Sequence, residues 1–357
     1  MCVMIISLRG TNPAEWLALR AGVVPVAAAE AWGGVALSGI LVAAVRAGVT
    51  ERLAREPSTA GELATALGLD PVPTSLLLEC LRSAGHVTRR SGRYRLSRRS
   101  RRWLDPESPV SVTRFVAGTA DYWDWWARLD ETARRGEPIG HHGAPPEDPY
   151  WRRYIGGQLD LARLSADEVA RKLRLPRDAR TLLDIGGGHG WYAARLCDRH
   201  PRLTATVLDL PGSAAIGREI IAKAGYAGRV RHRDGDAMTA DLGDGYDVVL
   251  CFNLVHHLSE EQTAALFRKV YRALAPGGVL AVLDVFAAPR RRVSAQANAA
   301  GLFVYLSSGS RVRTEGELGG WLRSAGFPAP RKTRVLRLPG QALYTTRKPA
   351  SGRSGPA

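Results

Sequence analysis

The second half of the chain reads as a doubly wound α/β domain, and the first half as a smaller helical unit closed by a β-hairpin. Three observations predict this. After Pro176, short apolar runs alternate with helical stretches, the order of a mostly parallel sheet covered on both faces. A glycine-rich turn follows the first of these runs, and acids stand at the ends of the next two. At 357 residues, 45% of them apolar, the chain can bury two cores.

The first eight residues are apolar but lack a basic leader and a small-residue cleavage site, so they read as a ragged terminus or docking strand. Residues 32–53 carry apolar side chains at helical spacing. Ser58 or Thr59 caps a helix ahead of Glu62. Residues 68–71 form a turn, and residues 73–84 a helix stopped by Gly85. Residues 86–88 and 94–96 alternate around Ser91-Gly92, a hairpin signal. Helix, turn, helix and hairpin is the order of a winged helix. The expected boundaries are 1–108 for this domain, 109–175 for an aromatic helical linker and cap, 176–347 for the α/β domain, and 348–357 for a disordered tail.

Within the α/β domain, strands are expected at 181–185, 203–210, 229–233, 246–252 and 279–286. Helices are expected at 191–199, 213–224, 260–274, where Pro276-Gly277-Gly278 supplies the stop, and 315–325. Residues 331–338 and 341–347 flank Pro339-Gly340 as a terminal hairpin.

The glycine turn reads Asp184-Ile185-Gly186-Gly187-Gly188-His189-Gly190. Glycines there let the backbone bend and approach a ligand, and the helix that follows offers unpaired N–H groups. The nicotinamide fingerprint fails, because its third glycine position is Trp191. Asp209 ends the second strand, where a carboxylate can accept both hydroxyls of a ribose; Asp236 follows the third, where one can accept from an adenine amino group.

An acid followed by Gly-x-Gly-x-Gly resembles motif I of class I S-adenosylmethionine methyltransferases. Residues 30–347 as a whole are similar to the plant-type O-methyltransferase family and its bacterial relatives. The most specific matches are Leu182-Leu183-Asp184-Ile185-Gly186-Gly187-Gly188, Val207-Leu208-Asp209-Leu210-Pro211 and Ala275-Pro276-Gly277-Gly278; Arg313-Thr314-Glu315 and Ser324-Ala325-Gly326-Phe327 fit the family's late helix. The resemblance implies a class I methyltransferase sheet joined to a winged-helix dimerisation domain, S-adenosylmethionine as cofactor, and a homodimer formed through the N-terminal domain. It implies a cofactor site of Asp184, Gly186, Gly188, Gly190, Asp209, Leu210, Gly235, Asp236, Ala237 and Phe252.

The family's general base is a histidine after the fourth strand, in a His-Asp-Trp-Ser-Asp pattern. Here the segment is His256-His257-Leu258-Ser259-Glu260, so His256 matches the base. Asp284 matches the acid that orients it, while the position of a second acid is Val312. A histidine of pKa about 6.5 can deprotonate a phenol of pKa about 10 as the methyl arrives, provided the atoms are held about 3 Å apart. Trp126, His257 and Phe303 are expected to contact an aromatic or polyketide-like acceptor, methylated on a phenolic or enolic oxygen or an activated ring carbon. The cluster Trp123, Trp125, Trp126 reads either as that cap or as interdomain core.

Two further readings stand beside this one. The first is a non-methylating relative that keeps the cofactor and uses the pocket for decarboxylation, hydroxylation or cyclisation. The second is a winged-helix DNA-binding regulator. Of the net charge of +16, eight arginines fall between Arg89 and Arg102 with no acid among them. The expected recognition helix, however, carries only Arg82 as a base-reading cation, with Glu79 beside it, so no specific nucleic acid is expected. No run of about 18 apolar residues occurs, and no membrane partner is expected. The four cysteines lack a CxxC spacing, Cys251 reads as a reduced buried thiol, and a cytoplasmic location follows. His141-His142 has no third ligand at metal spacing, so no metal is expected.

Overall fold

The computed structural model describes residues 12–140, 143–287, 295–337 and 340–350. The first eight residues, the His141-His142 pair, Pro339 and the tail from residue 351 lie outside the described residues. The chain divides between Tyr122 and Trp123 into two units, so the expected linker of 109–175 is shared between them.

The N-terminal unit contains α1 (Pro13–Arg20), α2 (Val26–Arg46), α3 (Val49–Arg55), α4 (Ala60–Leu67), α5 (Pro71–Ser83), β1 (Val87–Arg90), β2 (Arg93–Leu96), α6 (Arg98–Leu104) and α7 (Thr113–Gly118). Thr59 caps α4 in a reciprocal pairing with Glu62, and Asp70 caps α5. Ser91 and Gly92 both take positive φ, the geometry of a two-residue turn that matches strand twist. Leu53, Leu63, Leu78, Leu81, Tyr94 and Leu96 pack as the core, which gives the winged-helix order its body. The single helix expected over 32–53 is in fact two, because Gly48 turns left-handed at φ +76.

Helix α2 departs from the sequence reading in a second respect. Its 18-residue window has a mean hydropathy of 1.6, long and apolar enough by length and composition to cross a membrane. Glu30, Gly33, Gly34, Ser38 and Gly39 interrupt the apolar run without lowering that mean enough. Within the chain the helix stays largely uncovered, with Trp32 78% and Val35 77% exposed.

The C-terminal unit begins with α8 (Trp123–Ala127), α9 (Leu129–Arg135) and α10 (Pro149–Lys172). It continues through β3 (Thr181–Ile185), α11 (Trp191–Arg199), β4 (Thr204–Asp209), α12 (Pro211–Lys223), β5 (Val230–Asp234), β6 (Tyr246–Phe252), α13 (Glu260–Ala273) and β7 (Leu274–Val285). It closes with α14 (Ala295–Ser308), α15 (Glu315–Ser324), β8 (Arg331–Arg334) and β9 (Gln341–Arg347). The strand order is β5-β4-β3-β6-β7-β9-β8; the first five are parallel, and β9 runs antiparallel between β7 and β8.

Strand alternation divides the core into two layers. Leu182, Val248 and Leu250 face α10 and α11, whereas Leu183, Val249 and Cys251 face α13 and α15. The expected helix stop at Pro276-Gly277-Gly278 lies inside β7, whose head pairs Leu274 with Tyr246 across a register shift. Helix α14 is absent from the sequence reading; its small and apolar residues form no clear stripe. The strand order reverses between β3 and β6. Ligands of open α/β sheets bind at such a point, beyond the carboxyl ends of the strands.

Candidate active site

The ends of β3 to β6 open onto one cavity of about 630 Å³. Its floor is the glycine turn after β3. Gly186 and Gly188 take φ of +66 and +50, conformations that disfavour any side chain. Gly187 is required for space: a Cβ there would lie 2.5 Å from Asp184 Cγ. Gly190 is not on the cavity wall, contrary to the expectation. A Cβ there would meet His232 and Ile221 at 3.1 Å, so its smallness serves the packing of α12. The first N–H of α11, on Trp191, is not left for a ligand either; it donates to Nδ1 of His189 at 3.0 Å.

Three acids line the cavity, as the sequence suggested. Asp184 is fully buried, and its Oδ1 accepts no hydrogen bond among the described residues. Burial, reinforced by the charge of Asp209, pushes its pKa up to about 8. Asp209 accepts from the backbone N–H of Gly188 at 2.6 Å and of Leu210 at 2.7 Å. Its burial raises its pKa against those two donors. Asp236 is exposed and accepts from the Met238 N–H at 2.8 Å, opening the turn after β5. Leu210, Gly235, Ala237 and Phe252 also reach the wall. An orphaned buried oxygen, a floor that excludes a Cβ, and carboxylates spaced along three strand ends fit a cationic ligand with a hydroxyl-bearing sugar.

At the end of β6 the chain turns through Asn253 at φ +53, an uncommon conformation for a residue other than glycine. A 3-10 turn, Val255–His257, then carries both histidines into the wall. His256 Nδ1 lies 2.5 Å from Asp284 Oδ1, and its backbone N–H reaches Asp284 Oδ2 at 3.3 Å. Asp284, on β7, also accepts from the Val285 N–H at 2.7 Å and is 1% exposed, behind the cavity wall. The Nδ1–H donated to this carboxylate leaves the lone pair on Nε2. The His257 ring packs on that of His256 with centroids 4.1 Å apart. Val312 is half-buried near Gly301, and the neighbouring Arg313 bonds Leu258 O, Ser310 and Glu260. Among the described residues, Asp284 is therefore the acid bonded to His256.

The far end of the cavity is aromatic, but not as expected. Trp125, 2% exposed, lines it and stacks on Phe303 at 5.4 Å. Trp126 does not line it; it is 39% exposed and touches Phe303 from the side at 6.2 Å. Adjacent helical residues point about 100° apart, and the sequence does not set the rotation of a five-residue helix. The reading also missed Tyr154, Gln158 and Tyr192 on the wall. The first two sit with Tyr150 and Trp151 at three- to four-residue spacing on α10, a stripe that periodicity can find.

The O-methyltransferase domain family matches residues 141–328, and the O-methyltransferase dimerisation domain matches residues 29–106. The chain is 29% identical to a 3-hydroxy-5-methyl-1-naphthoate 3-O-methyltransferase of Streptomyces sahachiroi, across 82% of this chain and 87% of that protein. It is 31% identical to an aclacinomycin 10-hydroxylase of Streptomyces purpurascens, across 64% of this chain and 60% of that protein. The solved structure of a mitomycin 7-O-methyltransferase superposes with a TM-score of 0.80 at 25% identity, covering 93% of this chain and 99% of that one.

Proposed function

Since the chain belongs to the plant- and bacterial-type family of S-adenosylmethionine-dependent O-methyltransferases, we propose that it methylates a phenolic or enolic oxygen of an aromatic or polyketide-like small molecule, with His256 as general base. The observation that carries this reading is the His256–Asp284 pair at the wall between the glycine loop and the aromatic end. Asp209 and Asp236 would hold the ribose and adenine of the cofactor, and Asp184 lies under the loop. When bound, S-adenosylmethionine supplies an electrophilic methyl on a sulfonium. His256 Nε2 takes the proton of the acceptor hydroxyl, and Asp284 supports the imidazolium that results. Trp125 and Phe303 present flat apolar faces to an aromatic acceptor. With Val312 at the position of a second acid, Asp284 is, among the described residues, the acid that steadies that charge, which favours an acidic phenol or enol over a simple alcohol.

A screen of such acceptors with methyl-labelled cofactor, read by mass spectrometry, tests the proposal; label in the product supports it. The hydroxylase relative favours a second reading in which the cofactor stays intact. The same screen separates the two, because hydroxylation adds oxygen and no label.

The state of Asp184 makes a further prediction. In the free protein its raised pKa keeps much of it protonated at neutral pH. A cationic sulfonium favours the carboxylate, so binding it below about pH 8 releases a proton. S-adenosylhomocysteine lacks that charge. Between pH 6 and pH 8, affinity for S-adenosylmethionine is expected to rise relative to that for S-adenosylhomocysteine by about tenfold. Titration calorimetry at the two pH values checks this, and an invariant ratio refutes it.

The bare apolar face of α2, inside the matched dimerisation domain, supports a homodimer rather than a membrane anchor. Helix α5 turns Val72 and Leu76 outward, and its Arg82 is tied to Glu79, which disfavours base reading and leaves the arginines of 89–102 as a solvated face. The buried free thiols Cys197 and Cys251 suit a cytoplasmic enzyme. Light scattering at micromolar concentration should give a dimer whose mass is unchanged by duplex DNA at physiological salt; a monomer, or a stable DNA complex, contradicts this part.

A further inference from the structure

His232 stands outside every motif the sequence reading used. It lies on β5, opposite Val207 of β4, and its Nε2 meets the carbonyl oxygen of Gly188 at 2.9 Å. A carbonyl only accepts, so Nε2 carries the hydrogen. The N–H of the same glycine donates to Asp209 Oδ2 at 2.6 Å. The two peptide planes that meet at Gly188 are therefore each held by a side chain, one by a carboxylate and one by an imidazole. Helix α12 closes over this contact. A Cβ on Gly217 would lie 2.2 Å from His232 Nε2 and 2.3 Å from Gly188 O, so only glycine lets the three segments meet. On its other edge the ring abuts Gly190, where a Cβ would fall 3.1 Å from His232 Cε1.

We propose that His232 is a positioning residue for the cofactor: its Nε2–H fixes the peptide of Gly188 and thereby holds the glycine loop in its binding form. The inference rests on the loop being the cofactor site. The half-buried ring has a second nitrogen, Nδ1, that is buried without a hydrogen-bond partner among the described residues. Burial lowers the pKa of the ring, with the Gly188 bond and the flanking Asp234 opposing and Arg218 adding to the fall. The neutral Nε2–H form, the one that can serve Gly188 without burying a charge, is the form this setting selects. Strand β5 also runs directly into Gly235 and Asp236. One side chain thus ties the strand that leads to the adenine end to the crest of the loop after β3.

The test uses the full chain and titration calorimetry with S-adenosylhomocysteine. Glutamine sets an N–H where Nε2 lies, whereas asparagine sets one nearer Nδ1 and cannot reach Gly188 O. His232→Asn and His232→Ala are expected to weaken binding by about tenfold, and His232→Gln to stay within about threefold of wild type. The KM of the acceptor should not move in any of them. If alanine prevents folding, the asparagine and glutamine pair still decides. Equal affinities for these two, or an acceptor KM that shifts in step with cofactor affinity, overturn the proposal. Wild type that fails to bind S-adenosylhomocysteine overturns the loop assignment itself, a result distinct from binding that all variants share.

Discussion

His256→Ala will lower kcat by about a hundredfold or more while cofactor affinity stays within about twofold of wild type. His256 is held on Asp284 at two points, its ring through Nδ1 and its main chain through the N–H, so Nε2 is the ring nitrogen left for the acceptor. Among the described residues, nothing else bonded to this acid can replace it: the third donor, the Val285 N–H, is backbone. Asp284→Asn should also depress kcat, because an amide can donate to Nδ1 and so favour the wrong tautomer. Asp284→Ala is a poorer probe. It leaves the His256 and Val285 N–H groups buried without an acceptor and costs about 1–3 kcal/mol of stability each. His257→Ala should do less, since His257 packs on the ring of His256, and it is His256 that places Nδ1 on Asp284. Single-turnover rates with a phenolic acceptor and titration calorimetry of each variant check these outcomes. Unchanged rates in both histidine variants would remove base catalysis from the proposal and leave positioning alone.

The second large effect belongs to Asp209→Ala, for which cofactor affinity should fall by about tenfold to a hundredfold. Two losses add. The ribose hydroxyls lose their charged acceptor, and the Gly188 and Leu210 N–H groups lose theirs, so the loop is freed at its crest. Asp209→Asn keeps one carbonyl oxygen and should fall between alanine and wild type. Calorimetry with S-adenosylhomocysteine, beside thermal unfolding of the unliganded chain, separates lost contacts from lost folding. A variant that binds as tightly as wild type means that the ribose is held elsewhere.

Much of the site was legible because it is written in short segments. Asp184 through Gly190 is continuous in sequence, and Asp209 and Asp236 sit at the ends of runs that alternation marks as strands. Helix caps were legible for the same reason: Thr59 and Glu62 are three residues apart, and their reciprocal bonds need nothing from the rest of the fold. Gly190 misled because one residue type serves two ends. A glycine in a loop admits a ligand or admits a neighbouring helix, and only the position of Ile221 and His232 distinguishes them.

His256 was matched to a base only through the family resemblance, whereas local chemistry in the sequence was enough to determine the α/β order, the glycine turn with its acids and the winged-helix order of the first unit. Each depends on periodicity, a cap or a motif within a few residues, where backbone sterics and hydrogen bonding act alone. Tertiary structure decided which groups meet across long stretches of chain. It brought His256 into contact with Asp284, 28 residues away and expected only from the family resemblance, and joined His232 to Gly188 over 44. It also turned Trp125 rather than Trp126 onto Phe303, and broke the first long helix at Gly48. Sheet order and helix rotation set these contacts, and both follow from burying apolar faces that the chain brings together only when it folds.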